Sequence, residues 1–234
     1  MNKQSNTYTL IYILVLAAVV GTALAFTSLS LHDRQLENAD LDKMSQILAS
    51  AGIVPEKGQV AADFKKYIIA QEIVDCDGNR VEGDAFNVDV AAQSKLNDCG
   101  RQLPVFVCRP DDGSTKYILP VYGSGLWGPI WGYIAIDSDG TTVYGAYFAH
   151  QGETPGLGAE IVKPEFRNQF EGKRLIKNGV FMPISVVKAG QKPSGNEDYV
   201  DGVSGGTITS KGVGTMLDNC LSPYKSFLNQ LSNN

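Results

Sequence analysis

The feature that most constrains this chain is an uncharged, strongly apolar run near its N-terminus. No charged residue occurs from Gln4 to Leu31, and residues 8–26 are almost continuously apolar. A helix rises about 1.5 Å per residue, so this run is long enough to cross the hydrocarbon core of a bilayer. The Ala-Leu-Ala sequence at residues 23–25 resembles a signal-peptide cleavage site, but the apolar run exceeds the roughly 7–15 residues usual in such peptides. The sequence therefore favours a retained transmembrane helix over residues 8–31.

The charges around this span predict its orientation. Lys3 and the α-amino group precede the apolar run, whereas the flank that follows it is mixed in sign. Because a positively charged flank stays in the cytoplasm, we expect residues 1–7 inside the cell and residues 32–234 outside it. The predicted organisation is a short cytoplasmic N-terminus, one span and one extracytoplasmic domain.

Composition argues against two classes of function. A net charge of -5 and a pI near 5.1 do not supply the basic face that nucleic acid binding requires. The four cysteines form no CxxC pair and the chain has two histidines, so we expect no metal site. Buried free thiols are the favoured state of these cysteines. An exported domain can also hold one disulfide, which the sequence does not assign. The cysteines are Cys76, Cys99, Cys108 and Cys220.

The remaining pattern predicts an α+β domain. Several strand-like segments are separated by turns, and an amphipathic helix pattern runs from Val213 to Leu231 with an expected kink at Pro223. Strands grouped together with helices at the ends indicate a mainly antiparallel sheet with flanking helices, preceded by one N-terminal transmembrane helix. The predicted strands cover residues 66–74, 105–109, 116–122, 131–137, 142–149 and 180–188, residues 189–199 are expected to form a loop, and a helix following the span is expected to stop at Gly52.

Three glycine-rich loops carry the residues best suited to bind a ligand. They cover residues 122–129, 151–158 and 201–207, and the third leads directly into the C-terminal helix. Free N–H groups and the positive end of the dipole at a helix N-terminus attract a phosphate. Gly205 and Gly206 let the backbone approach such a group closely, because no Cβ intervenes.

The first two loops offer groups that suit a planar ring. Leu126 and Trp127 place flat apolar surface within a turn, and Glu153, Thr154 and Leu157 add an acid, a hydroxyl and an apolar group. Each residue also has a simpler explanation, since Trp127 can be a core or hairpin residue and a loop Glu is usually solvated. Taken together, the three loops predict a pocket for a ligand with a planar ring and a phosphate tail.

Five sequence blocks extend this interpretation over nearly the whole chain. They are the N-terminal span, LDKMSQILASAG (41–52), YGSGLWGPIWGYIAI (122–136), HQGETPGLGAE (150–160) and DGVSGGTITSKGV (201–213). With these blocks the chain resembles the FMN-binding domain family and, within it, the C subunits of the sodium-translocating NADH:quinone oxidoreductases. The resemblance implies an electron-relay subunit of a bacterial inner-membrane complex that couples NADH oxidation and quinone reduction to Na⁺ export.

The last block implies a covalently bound cofactor. In that family, the threonine of a D-x-x-[ST]-G-A-T-x-[ST] motif carries FMN through a phosphodiester, which a flavin transferase installs with FAD and a divalent metal. Thr207 stands at this position, and Asp201 and Ser204 match the motif, whereas Gly206 replaces the usual alanine. Asp201 is expected to serve the attachment reaction or to cap the turn.

The resemblance also implies roles for the other loop residues, and no catalytic or metal-binding residue. The cofactor-binding set is Thr207 for the covalent bond, Ser204, Gly205, Gly206 and Thr209 for the phosphate, Trp127 and Leu157 on either side of the isoalloxazine ring, and Leu126, Glu153, Thr154 and Gly158 around it.

The implied partners are the other subunits of a six-subunit complex, the flavin transferase and membrane lipid. Within the complex, the chain would pass electrons from an iron–sulfur centre to a second covalent FMN in a neighbouring subunit. It would not be catalytic by itself, and no G-x-G-x-x-G motif for NADH is present after a strand.

Three alternatives stay open at this stage. The related G subunit of the ferredoxin-linked Rnf complex shares these motifs. The G-x-S-x-G pattern at residues 202–206 is that of a serine hydrolase using Ser204, although His32 and His150 both precede this serine, contrary to the usual order. Finally, the glycine loops can be plain turns of a cofactor-free, membrane-tethered interaction module.

Overall fold

The computed structural model describes residues 6–233. Between residues 60 and 232 it contains ten strands and several short helices, together with 3₁₀ turns. The helices and strands, in chain order, are α1 (Asn6–Ser50), α2 (Val60–Tyr67), β1 (Ile68–Val74), β2 (Arg80–Val81), α3 (Val90–Gln93), β3 (Leu103–Cys108), β4 (Lys116–Ser124), β5 (Pro129–Asp137), β6 (Val143–His150), α4 (Pro164–Arg167), β7 (Ile176–Lys177), β8 (Val180–Phe181), β9 (Ser185–Val187), β10 (Tyr199–Asp201), α5 (Thr207–Leu221) and α6 (Lys225–Ser232).

The apolar run forms the first part of α1. Within residues 6–233, α1 is the one helix that is long and apolar enough to cross a membrane, by length and composition. It ends at Ser50, and Gly52 follows with a φ of +73°, a conformation that glycine adopts at little cost. The predicted helix stop is therefore confirmed. The chain divides into two compact units between Lys43 and Met44.

The second unit is built on one six-stranded sheet in the order β2-β1-β3-β4-β5-β6. Every pairing within this sheet is antiparallel. With helices lying beside the sheet and one long apolar helix before it, the structure confirms the predicted α+β class.

Alternate residues of the central strands point to opposite faces of this sheet, and an apolar cluster covers each face. Val105 and Val107 of β3 join a large apolar cluster that includes Val213 and Leu228 of the C-terminal helices. Phe106 and Cys108 join a second cluster, which contains the end of α1 after Met44 and part of α2. The C-terminal helices are thereby fixed against one face of the sheet.

Two predicted segments differ from the structure. Residues 180–188 do not form one strand, since β8 pairs with β7 and β9 pairs with β10, and Pro183 between them has no N–H for a ladder. Residues 189–199 were expected as loop, but Tyr199 begins β10, which pairs in parallel with β9. The polar sequence before Tyr199 gives no strand pattern, and β10 forms because it pairs with β9.

The C-terminal amphipathic pattern is divided at the predicted place. A 3₁₀ turn at Ser222–Tyr224 contains Pro223 and separates α5 from α6. The guanidinium of the buried Arg101 donates to the carbonyl oxygen of Asn219 at 2.6 Å and to its side-chain oxygen at 2.9 Å. A cation at this end of α5 complements the negative end of the helix dipole.

The cysteines are of two kinds. Cys76 and Cys99 form a disulfide, whereas Cys108 and Cys220 are free and buried. The prediction of buried free thiols is therefore wrong for Cys76 and Cys99 and confirmed for Cys108 and Cys220. Burial raises the pKa of the Cys108 thiol to about 11 and also raises the pKa of the Cys220 thiol.

Candidate functional site at the N-terminus of helix α5

The first glycine-rich loop is shorter than its sequence suggests. β4 continues to Ser124 and β5 starts at Pro129, so the turn is confined to residues 125–128. The Gly125 N–H closes it by donating to the Gly128 carbonyl at 2.8 Å. The side chain of Trp127 projects from this tight turn and is 68% exposed. Of the simpler explanations of this residue, a core position is therefore wrong, whereas a position in a hairpin turn is confirmed.

The second loop turns its acid inward. Glu153 is only 5% exposed. Its Oε1 accepts from the backbone N–H of Trp127 at 2.8 Å, and its Oε2 accepts from the hydroxyl of Thr209 at 2.5 Å. These two hydrogen bonds, which we call the Glu153 bridge, join the first loop, the second loop and the first turn of α5. The simpler explanation of Glu153 as a solvated loop acid is wrong.

Glycines on two sides make room for the Glu153 carboxylate. A Cβ on Gly125 would lie 2.4 Å from Oε1, and a Cβ on Gly158 would lie 2.3 Å from Oε2 and 2.4 Å from the Thr209 hydroxyl. No side chain fits at these distances, so both positions require glycine for the bridge to form. Gly125 was not among the predicted site residues, although it lies in a predicted loop.

The third loop forms the start of α5. Gly205 has a φ of +75°, and Gly206 is the buried residue immediately before the helix. Thr207, the first helical residue, is exposed, as is Ser204. A Cβ on Gly205 would lie 2.6 Å from the Cδ2 atom of Leu157, so Leu157 of the second loop rests against this turn. An accessible hydroxyl thus stands at the positive end of a 15-residue helix.

A cleft of about 320 Å³ opens beside this turn. Ser204, Gly205 and Thr207 contribute to its lining from the turn, and Val186 and Lys211 contribute from β9 and α5. Neither Val186 nor Lys211 was predicted. Lys211 lies four residues after Thr207, a spacing that places both on one helix face, and this periodicity is the signal that could have indicated it.

The structure brings most of the predicted site residues together. The Glu153 bridge and the contacts of the glycines directly connect Trp127, Glu153, Leu157, Gly158, Gly205, Gly206 and Thr209. Leu126, Leu157 and Ile208 are exposed apolar side chains, as is Trp127. Thr154 is exposed, and its carbonyl oxygen accepts the N–H groups of Leu157 and Ala159 in the turn. Ile208 was not predicted; its apolar side chain lies outside the buried helix pattern that starts at Val213.

The geometry does not suit a serine hydrolase. β10 leads into the turn and α5 follows it, so the strand–turn–helix context of a hydrolase nucleophile is present. However, His150 Nδ1 accepts the backbone N–H of Glu153 at 3.2 Å. A neutral imidazole with an accepting Nδ1 carries its proton on Nε2, so Nε2 cannot accept the proton of Ser204.

Comparison with known proteins places the chain in a family. The FMN-binding domain model matches residues 125–222, which include the turn at residues 125–128 and the second and third glycine-rich loops. The C subunit of the Na(+)-translocating NADH-quinone reductase of Vibrio anguillarum is 39% identical over 228 residues, which cover 91% of this chain and 89% of that protein. The corresponding protein of Vibrio alginolyticus is 37% identical and covers the same shares. This chain belongs to the family of C subunits of the Na(+)-translocating NADH-quinone reductase.

Solved structures agree with this membership. The C subunit from Parabacteroides distasonis has 49% sequence identity and a TM-score of 0.79, with 85% of this chain and 96% of that chain covered. NqrC of Shewanella oneidensis has 27% identity and a TM-score of 0.68, with 84% and 100% covered. The resemblance found in the sequence is confirmed, and it favours the C subunit over the G subunit of the Rnf complex.

Proposed function

We propose that this chain is the electron-relay subunit of a Na⁺-translocating NADH:quinone reductase and that it carries FMN covalently on Thr207. The observation that carries this proposal is the exposed Thr207 hydroxyl at the start of α5, beside loops that Glu153 joins. An exposed hydroxyl at a helix N-terminus suits attachment of a phosphate, because the N–H groups of the first turn have no acceptor within the helix.

The turn before α5 fits the phosphate end of such a group. Gly205 leaves the backbone uncovered on the side of the cleft, and its φ of +75° is strained for any residue with a side chain. The exposed hydroxyl of Ser204 lies in the lining of the same cleft as Thr207. We therefore assign Ser204, Gly205, Gly206 and the backbone N–H of Thr209 to the phosphate.

The apolar side chains around the turn fit the ring. Trp127 is 68% exposed, Leu126 is 48% exposed and Leu157 is 43% exposed. Adjacent exposed apolar side chains mark a binding surface, since soluble domains seldom leave them together in water. We assign Trp127 and Leu157 to the two sides of the isoalloxazine ring, with Leu126, Glu153, Thr154 and Gly158 around it.

Bound FMN supplies the one-electron chemistry, and the chain supplies attachment, orientation and shielding from water. In this proposal electrons arrive from an iron–sulfur centre and leave to another flavin of the complex. The partners are the other subunits of a six-subunit complex, a flavin transferase that installs FMN, and lipid around residues 8–31. No residue of this chain is assigned a catalytic role of its own.

The domain is proposed to lie outside the cytoplasmic membrane, with residues 1–7 inside. Two observations support this placement. The helix α1 is long and apolar enough to act as an anchor. The disulfide between Cys76 and Cys99 is of the kind that persists in oxidising compartments and is rare in the cytosol.

The test is flavin fluorescence of the denatured full-length chain on a gel, after expression with or without the flavin transferase. We expect a fluorescent band only with the transferase, and its mass should exceed that of the bare chain by one FMN attached with loss of water. Thr207→Ala should remove the band, whereas Ser204→Ala and the control Thr215→Ala should keep it. Thr215 is an exposed residue of the same helix. A dark wild-type band in the presence of active transferase would refute covalent attachment.

A further inference from the structure

We infer that Glu153 is a positioning residue, and that the Glu153 bridge sets the geometry of the site by acting through Trp127 and Thr209. This inference rests on the proposed flavin site. The bridge is the point at which all three loops meet, because its two hydrogen bonds run from one buried carboxylate to two different elements.

A buried carboxylate strongly prefers the arrangement that satisfies it. Loss of a hydrogen bond to a buried charged group leaves that charge without solvent, which is costly. Oε1 and Oε2 are each satisfied by one group, the Trp127 N–H and the Thr209 hydroxyl. The loop of residues 125–128 therefore has one preferred position relative to α5. The position of Trp127 is fixed as well, because the N–H that donates to Glu153 belongs to Trp127.

The Thr209 hydroxyl is committed to this bridge. Thr209 is 1% exposed, and its hydroxyl donates to Glu153. A hydroxyl has a single hydrogen to donate, so the same group cannot also donate to a phosphate. The hydroxyl of Thr209 thus acts indirectly, whereas its backbone N–H, in the first turn of α5, keeps the phosphate role that the family resemblance implied. Thr209 lies two residues after Thr207, so holding it fixes the first turn of α5 and the attachment point.

Leu157 is positioned by the same assembly. It precedes Gly158, whose missing side chain leaves room for Glu153, and it rests against Gly205. The two side chains proposed to enclose the ring are consequently set by one carboxylate. The bridge should control the environment of the flavin without touching the bond that attaches it.

Conservative variants of Glu153 and Thr209 separate the effect of the hydrogen bonds on loop position from the effect of the carboxylate charge. In Glu153→Gln, the amide oxygen can accept from Trp127 and the amide nitrogen can donate to the Thr209 oxygen, so both connections are retained. Glu153→Ala removes both connections, Thr209→Val removes the one to α5, and Thr209→Ser restores the hydroxyl. Glu56→Ala and Thr215→Val, at exposed positions, serve as matched controls.

The experiment makes two measurements on the full-length chain. The first is hydrogen–deuterium exchange of a peptide containing Trp127, in the flavin-free Thr207→Ala background. The second is visible circular dichroism of the attached flavin, expressed per mole of flavin, with the thermal unfolding midpoint recorded in parallel. The dichroism reports how the ring is held, which a change in overall stability alone would not alter.

We expect Glu153→Ala and Thr209→Val to speed exchange of the Trp127 amide about tenfold or more and to change the flavin dichroism. Glu153→Gln, Thr209→Ser and both controls should match the wild type. The inference is overturned if Thr209→Val keeps wild-type exchange and dichroism, or if Thr209→Ser fails to restore them. If no variant, including the wild type, carries flavin, the proposed function fails, and the exchange measurement alone still decides whether the bridge holds the loops.

Discussion

Replacing Gly158 by alanine adds one methyl group at the most crowded point of the site. The new Cβ would lie 2.3 Å from the Glu153 Oε2 and 2.4 Å from the Thr209 Oγ1, and both of those residues are buried. No flexible side chain end is free to move aside, because each of these oxygens is engaged in the Glu153 bridge. The methyl group must therefore break the hydrogen bond between them and also crowd the second loop.

The size of the effect follows from three contributions. Overpacking a buried site costs about 1–3 kcal/mol, and losing a hydrogen bond to a charged group costs about 1.5–3 kcal/mol. Alanine gains back roughly 0.4–1 kcal/mol by restricting the unfolded chain. We therefore expect Gly158→Ala to lower the free energy of unfolding by about 2–5 kcal/mol. A loss of about 3 kcal/mol lowers the Tm of a domain of this size by about 6–12 °C.

The matched control lies in the same loop. A Cβ on Gly152 would meet no atom within 4 Å, and Gly152 has no positive φ, so Gly152→Ala should be neutral or slightly stabilising. Urea unfolding of both full-length variants, followed by tryptophan fluorescence in detergent, gives the comparison. If the two variants differ by less than about 0.5 kcal/mol, the bridge contributes little stability and the steric reasoning is refuted.

Three further predictions concern other parts of the domain. Gly206→Ala, which restores the usual residue of the motif, should change the free energy of unfolding by less than about 1 kcal/mol and keep flavin attachment. Its Cβ would lie 3.1 Å from Val203 and 3.2 Å from the Gly158 nitrogen, and the loss from the small shift that this requires is offset by restriction of the unfolded chain. Urea unfolding and gel fluorescence measure both. Arg101→Met should lower the free energy of unfolding by about 2–4 kcal/mol, measured in urea, since the carbonyl oxygens of Leu96 and Asn219 lose a charged donor. Iodoacetamide at pH 8 should leave the native thiols of Cys108 and Cys220 unmodified and alkylate both after denaturation without reductant.

The thiols also predict a pH dependence. The pKa of Cys108 is about 11 in the folded chain, against an ordinary value of 9.0. Between these values the unfolded chain has released a proton that the folded chain still holds, so the free energy of unfolding falls as the pH rises from about 9 to 11. Cys108→Ala should flatten this decline.

The predictions for Gly206, Arg101 and thiol alkylation each have a result that would contradict them. Loss of flavin in Gly206→Ala would show that the turn does not tolerate a methyl group. Wild-type stability of Arg101→Met would show that Arg101 contributes nothing to the end of α5. Rapid alkylation of the native protein would show that the two thiols are accessible.

Local patterns predicted much of the fold. The long uncharged apolar run indicated α1, and Gly52 indicated where α1 ends. Pro223 indicated the break between α5 and α6. Each of these features depends on residues close in sequence. The antiparallel strands from β3 to β6 follow from short turns, which bring neighbouring segments together. Pairings that no local pattern announces were missed: the parallel pairing of β9 with β10 across a polar loop, and the disulfide of Cys76 with Cys99.

The sequence by itself indicated the parts of the candidate site: three glycine-rich loops, Thr207 at the start of a helix, and apolar side chains within turns. Only the tertiary structure decided how they act together, because Glu153 lies 26 residues from Trp127 and 56 residues from Thr209, the two donors of its hydrogen bonds. An isolated acid in a loop is expected to be solvated. Glu153 is buried because two glycines leave space for its carboxylate, and because Trp127 and Thr209 supply donors that only the folded chain brings within reach.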